Sequence, residues 1–279
     1  MRFTMLLASA GFALLSLSAL AEESVYGRER LSEIMDRIGN KDCAGAVSDL
    51  NAALKHDFPE VQLLAGTMYE HGVCVKRDWE RAVPYYIQAW QGGVKDAANR
   101  LAAGYAAPEN DDVAAALWWA SRERDRGGHA AGIAKLVGCT VRPAAADDMD
   151  RFVAELQTWP QSRLQACNYM TGVMATVAGE LRYPTVAGMY NVGGDVDVRF
   201  LPAVPRIDLK LGATRTVQMS GWIDGDATRE RETLAKNGFK QALNQVVERA
   251  LRRYPHPDGI PSDTLVQLTY RFDVDLVGR

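Results

Sequence analysis

Histidine and cysteine are scarce in this chain, four of each in 279 residues, and none sits at a spacing that would gather a metal. No serine lies in a Gly-x-Ser-x-Gly frame and no His-Glu-x-x-His occurs, so the sequence signatures of serine hydrolases and zinc proteases are missing. No long basic run is present, and 32 Lys and Arg stand against 35 Asp and Glu, a formal charge of −3. A phosphate backbone needs a concentrated positive face, so nucleic acid is not an expected partner. The 11 prolines are scattered and make no Pro-rich spacer. Long hydrophobic runs are missing too, with one exception at the start.

That exception is Met5 to Ala21, preceded by Arg2 and ending in Ala19-Leu20-Ala21, with small residues at the positions a signal peptidase reads. Its 17 residues are short for a bilayer core of about 30 Å. The expectation is a signal peptide over 1–21, a mature chain from Glu22, and a periplasmic location. The competing reading is an uncleaved inner-membrane anchor, for which the flank lacks the Lys/Arg cluster that fixes orientation. Cys43, Cys74, Cys139 and Cys167 all lie in the mature part, an even number in an exported chain, so disulfides are expected, in any of three connectivities. With 47% hydrophobic and 24% charged residues, the composition is that of ordinary globular domains, and the length admits two.

The first half is periodic. Gly66-Thr67-Met68-Tyr69 recurs in weaker form as Ala102-Ala103-Gly104-Tyr105, 36 residues on. Asp78 leads through Ala82 to Tyr85-Tyr86, Ala89 and Gly92-Gly93; Asp111 leads through Ala115 to Trp118-Trp119 and Gly127-Gly128. Asp42, Ala46 and Ala53 repeat the Asp-to-Ala offsets upstream. A period in the mid-thirties made of two helical stretches predicts stacked helical units. Asp78 and Asp111 are placed to cap the second helix of each unit, and the glycine pairs to end it.

Gly66, Met68, Tyr69, Gly72, Val75, Asp78, Ala82, Tyr86, Ala89 and Gly93 together resemble one full Sel-one-like repeat, a relative of the tetratricopeptide repeat. The resemblance covers at most 40–135 and is fullest over 61–96; the next unit has Pro108-Glu109-Asn110 where the loop glycine belongs. It implies an all-α solenoid over 22–142 that contacts other proteins. Tyr85, Tyr86, Trp118 and Trp119 are then either a peptide-binding stripe or packing between repeats. His71 and His129, without spaced partners, read as turn or surface residues. The repeat also implies that the loop end carrying Cys74 lies beside the end carrying Cys43. That pairs Cys43 with Cys74 and leaves Cys139 for Cys167, closing loops of 31 and 28 residues.

A helical connector is expected over 143–172, with a helix begun by Asp147-Asp148 and interrupted at Trp159-Pro160. After Met174 the period becomes two. Val196, Val198 and Phe200 alternate with Asp195, Asp197 and Arg199, and Val266, Leu268, Tyr270, Phe272 and Val274 alternate with polar residues. Both segments predict half-buried antiparallel strands. Between them, Phe239, Leu243, Val246, Val247, Ala250 and Tyr254 fall on one face of a helix expected over about 229–253. Strands on one side of a helix make a small α+β domain, 173–279.

Tyr183-Pro184, Ala187, Gly194 and the first strand, together with Tyr254-Pro255-His256-Pro257, Gly259-Ile260-Pro261 and the last strand, are similar to the C-terminal domain of TonB. The stretch from Pro202 to Thr228 departs from that pattern, and Ala213 to Ile223 is read there as an additional strand pair. The resemblance implies a module that binds an extended peptide along a sheet edge, with Val266, Leu268, Tyr270 and Phe272 on the binding strand. Asp224-Gly225-Asp226 offers a cation site or an acid and base, but the tripeptide reads as a turn, and Glu29, Glu33 and Asp36 as a solvated helix face. The expectation is a non-enzymatic envelope adaptor without cofactor or metal. A self-associating structural or envelope-stress protein, dimeric through the C-terminal domain, and a diverged energy transducer are the alternatives.

Overall fold

The computed structural model describes residues 26–122, 138–216 and 225–272. Helices dominate, and the described strands form a small three-stranded antiparallel sheet near the C-terminal end. The chain divides into two compact units at Ala97/Ala98.

In the first unit, helix α1 runs over 26–39, followed by α2 (Cys43–Ala53), α3 (Pro59–His71) and α4 (Trp79–Gln91). Glu29, Glu33 and Asp36 are exposed on α1, as a solvated face requires. Ile34, Leu50, Phe58, Val61, Ala65 and Met68 make the core. Asp42 and Asp78 cap α2 and α4, each accepting from an N–H three residues on, which satisfies a donor the helix itself leaves unpaired. Gly72, at φ +69°, ends α3 in a conformation that costs any other residue energy. α3 and α4 pack closely because Gly66 has no side chain: a Cβ there would lie 2.6 Å from the Tyr86 ring.

The second unit begins within α5 (Asp96–Ala106) and continues through α6 (Val113–Arg122), α7 (Met149–Leu156), α8 (Gln161–Glu180) and the short α9 (Thr185–Met189). β1 (Val192–Leu201), β2 (Arg206–Thr216), α10 (Gly225–Arg253) and β3 (Val266–Phe272) complete it. The strand order is β2-β1-β3. Val198 faces Leu209 and Leu268 on its two sides, Phe200 faces Ile207 and Val266, and a bulge interrupts the β1–β2 ladder between Gly194 and Val196. These apolar side chains pack with Phe239, Leu243, Val247 and Tyr254 of α10.

Several expectations are corrected. The connector does not stop at residue 172: α8 continues to Glu180 and strand structure begins at Val192, not after Met174. From Tyr169 to Gly179 every residue of α8 is buried. A helix apolar on all sides must be covered on all sides, and Ala103 and Ala106 of α5, Ala116 and Ala120 of α6, α10 and β1 share one core with it. The packing division therefore falls at 97/98, earlier than either boundary read from the text. Pro202 to Pro205 form a turn between β1 and β2, and of the expected strand pair over Ala213–Ile223 the described part, 213–216, is the end of a single strand, β2. Residues 217–223 lie outside the described residues, as do 1–25, Gly127-Gly128, His129, Asp224, the Asp226 side chain and Val274.

Asp111 is not the cap of α6. The side chain of Asp112 accepts from the Ala115 N–H, and Ala116 rather than Ala115 is the buried small residue. The Asp112 N–H donates to the Tyr105 carbonyl just as the Asp78 N–H donates to that of Tyr69. The two helix–turn–helix joints therefore share a geometry, but the span from the tyrosine carbonyl to the aspartate N–H is two residues shorter in the second, with Asp111 at φ +42° taking up the turn.

Candidate functional site

Both expected disulfides are formed. Cys43 at the start of α2 joins Cys74 in the loop after α3, with Cα atoms 4.8 Å apart, and Cys139 joins Cys167 of α8 at 5.5 Å. Such bonds belong to an oxidising compartment. Among the described residues no helix is long and apolar enough to cross a membrane, and no group of three or more His, Cys, Asp or Glu side chains gathers to hold a metal. His71 is a partly exposed residue 3.6 Å from the Glu70 carboxylate.

The aromatic stripe is not assembled as a surface. Tyr86 is fully buried, its hydroxyl donating to Glu70 Oε2 at 2.6 Å. Tyr85 lies half-buried, its ring parallel to that of Tyr69 at 5.8 Å. Trp118 meets Phe152 edge to face and carries the Arg122 guanidinium on its ring, while Trp119 packs against the core of the second unit. Each ring is engaged by its own helix neighbours, so these residues pack the fold.

β3 behaves differently on its two faces and its two edges. Val266, Leu268 and Phe272 are buried, and Phe272 stacks on Phe239 of α10 with ring centroids 4.5 Å apart; Tyr270 is half-buried. Those four side chains hold the strand to the core and are not a contact surface. The outward face carries Gln267, Thr269 and Arg271. Thr269 Oγ1 donates to Asp197 at 2.7 Å, and Arg271 Nε donates to Asp195 at 3.2 Å. Asp195 also accepts from Arg215 of β2 at 2.9 Å, and the two guanidiniums hold its carboxyl below the usual range. Along its edges, β3 pairs with β1 on one side and with no other strand among the described residues. Backbone donors and acceptors on that second side are what an incoming strand would use.

A cleft of about 720 Å³ opens where β3 begins. Ser162, Arg163, Ala166 and Met170 of α8 line one side, residues from Gly259 to Leu265 line the other, and the Cys139–Cys167 bridge lines it as well. Arg163 lies with its guanidinium 3.3 Å from the centre of the Trp159 ring, its Nε donating to the Gly138 carbonyl. Partial burial pushes its pKa down, because desolvation disfavours the charged form. Glu155 opposes this through space while its own carboxylate is bonded to Arg142.

No protein-family model matches this chain, and neither does any curated protein or solved structure.

Nothing in the sequence marks Arg163 or the cleft. Their walls come from segments about a hundred residues apart, and no spacing or motif in the text joins them.

Proposed function

We propose that this is an exported, non-enzymatic protein-binding protein of the periplasm. Its N-terminal helices form a short solenoid of the Sel-one-like kind, and its C-terminal sheet takes an extended peptide from an envelope partner along β3, as the resemblance to the TonB C-terminal domain implies. The observation that carries the reading is the position of β3, a strand anchored by three buried side chains and paired on one side only among the described residues. Main-chain hydrogen bonds along such an edge give affinity, and side-chain pockets beside it give selectivity. The two disulfides support an oxidising location.

The edge is tested by proline. Thr269→Pro removes a backbone donor from β3, and Thr269→Ser keeps it. The expected result is that Thr269→Pro, with circular dichroism and thermal midpoint near wild type, no longer captures the periplasmic partner that wild type and Thr269→Ser retain. Capture undiminished in the folded proline variant moves recognition to the helical half. A monodisperse dimer that Thr269→Pro dissociates assigns the edge to a second copy of the chain instead.

A further inference from the structure

We infer that the cleft at the start of β3 receives the C-terminal residue of the added peptide, with its carboxylate on Arg163 and its last apolar side chain among Ala166, Met170, Ile260 and Leu265. The inference rests on the edge reading above and specifies which end of the partner is read.

Direction comes first. All pairings in the sheet are antiparallel, and antiparallel ladders are the more stable per residue. A strand added antiparallel to β3 runs from beside Phe272 toward beside Val266, so its C-terminal end arrives where Thr264 and Leu265 lead into the strand. Those two residues line the cleft. A peptide continuing past the ladder therefore meets the cleft with its last residues.

Size and charge agree with that occupant. The volume of about 720 Å³ lies within the range of small-ligand sites and exceeds what one apolar side chain and a carboxylate need. Arg163 is the one cation among the described lining residues. Its Nε is committed to Gly138, and Glu155, bonded to Arg142, acts on it through space. A guanidinium carries its donors as a fork, the geometry that matches a carboxylate, and that of Arg163 is held 3.3 Å from the centre of the Trp159 ring. The first turn of α8, which supplies Ser162 and Arg163, has no side-chain cap, so its dipole also favours an anion. Asp263 sits exposed on the opposite wall and works against an anion. The Cys139–Cys167 bridge holds part of the lining in place, which lowers the entropy lost on filling the cleft.

Two pools of fluorescent decapeptides test this, both randomised at alternate apolar positions, one ending in a free carboxylate and the other in a carboxamide. Wild type is expected to bind the free-acid pool about tenfold tighter, the effect of one charge-assisted hydrogen bond. Arg163→Gln should abolish that preference and Arg163→Lys should keep part of it. Asp263→Asn, at an exposed position where folding is not at stake, should increase it. Equal binding of the two pools, both lost in Thr269→Pro, overturns the cleft assignment and leaves the edge reading standing. Binding of neither pool overturns both. A preference that is unchanged in both Arg163→Gln and Asp263→Asn puts the carboxylate elsewhere and also overturns the assignment. A free-acid preference that persists in folded Thr269→Pro supports the carboxylate site and sinks the strand-addition reading.

Discussion

Tyr86 and Tyr169 carry the same hydroxyl into two interiors with opposite results. The Tyr86 hydroxyl donates to the buried carboxylate of Glu70, whereas that of Tyr169 is buried with no hydrogen-bond partner among the described residues, and burial pushes its pKa up to about 12. Removing the first leaves a buried acceptor short of a donor; removing the second removes an unmet demand. Urea denaturation should accordingly show Tyr86→Phe destabilised by about 1 to 3 kcal/mol, and Tyr169→Phe unchanged or slightly more stable. The Tyr169 proton gives a pH signature as well. Its folded pKa is raised, so its contribution is complete below the ordinary value of 10 and is lost as pH rises toward about 12. Alkaline destabilisation in that window should be smaller in Tyr169→Phe than in wild type.

Glu180 is a second decisive residue. Its carboxylate lies 3.0 Å from Arg249 Nη2, 3.7 Å from Arg100 Nη1 and 3.9 Å from Arg253 Nη1, tying α8 to α5 and α10. Arg100 is almost wholly buried, so neutralising Glu180 takes a counter-charge away from a desolvated cation. Glu180→Gln is expected to cost about 3 kcal/mol in chemical denaturation. Nothing in the text marks Glu180 among the 35 acidic residues, because its partners are brought to it by packing alone.

At the scale of elements, legibility followed periodicity. β1, β3 and α10 were readable because each buries one face, and a one-sided demand writes itself into the sequence as a period of two or of 3.6. α8 was not, because burial on all sides leaves no alternation to read. The α6 cap was displaced by one residue for a similar reason. Asp111 and Asp112 are both good caps, and the choice between them was made by the Asp112 N–H reaching the Tyr105 carbonyl. The edge strand also makes an acid-side prediction. Asp195, held low by Arg215 and Arg271, stabilises the sheet above its ordinary value of 3.8, and that contribution is lost as pH falls through its lower folded value. Wild type should lose stability over that range relative to Asp195→Asn, which is less stable at neutral pH and flatter in acid; thermal scans from pH 7 to 2 measure both.

At the scale of the whole molecule, the division at Ala97/Ala98 has a direct consequence. Because α5 and α6 cover α8, a fragment starting at residue 95 should unfold cooperatively, while one starting at 173 should not, having lost both that cover and half of α8. Heteronuclear NMR dispersion separates the two outcomes. Each disulfide closes a loop of about 30 residues and is worth roughly 3 to 4 kcal/mol in the chain-entropy account.

By itself the sequence determined the helical periodicity of the first half, the Asp78 cap and the strand–helix–strand order of the second. Each of these depends on local geometry or on a single buried face, and such demands are satisfied by neighbours in the chain. Tertiary structure alone decided that the aromatic pairs are packing, that α8 belongs with both the helices before it and the sheet after it, and that Arg163 lines a cleft beside β3. Those outcomes depend on which distant segments come to share one interior, and a residue's type records that it is buried or charged but not which part of the chain covers or faces it.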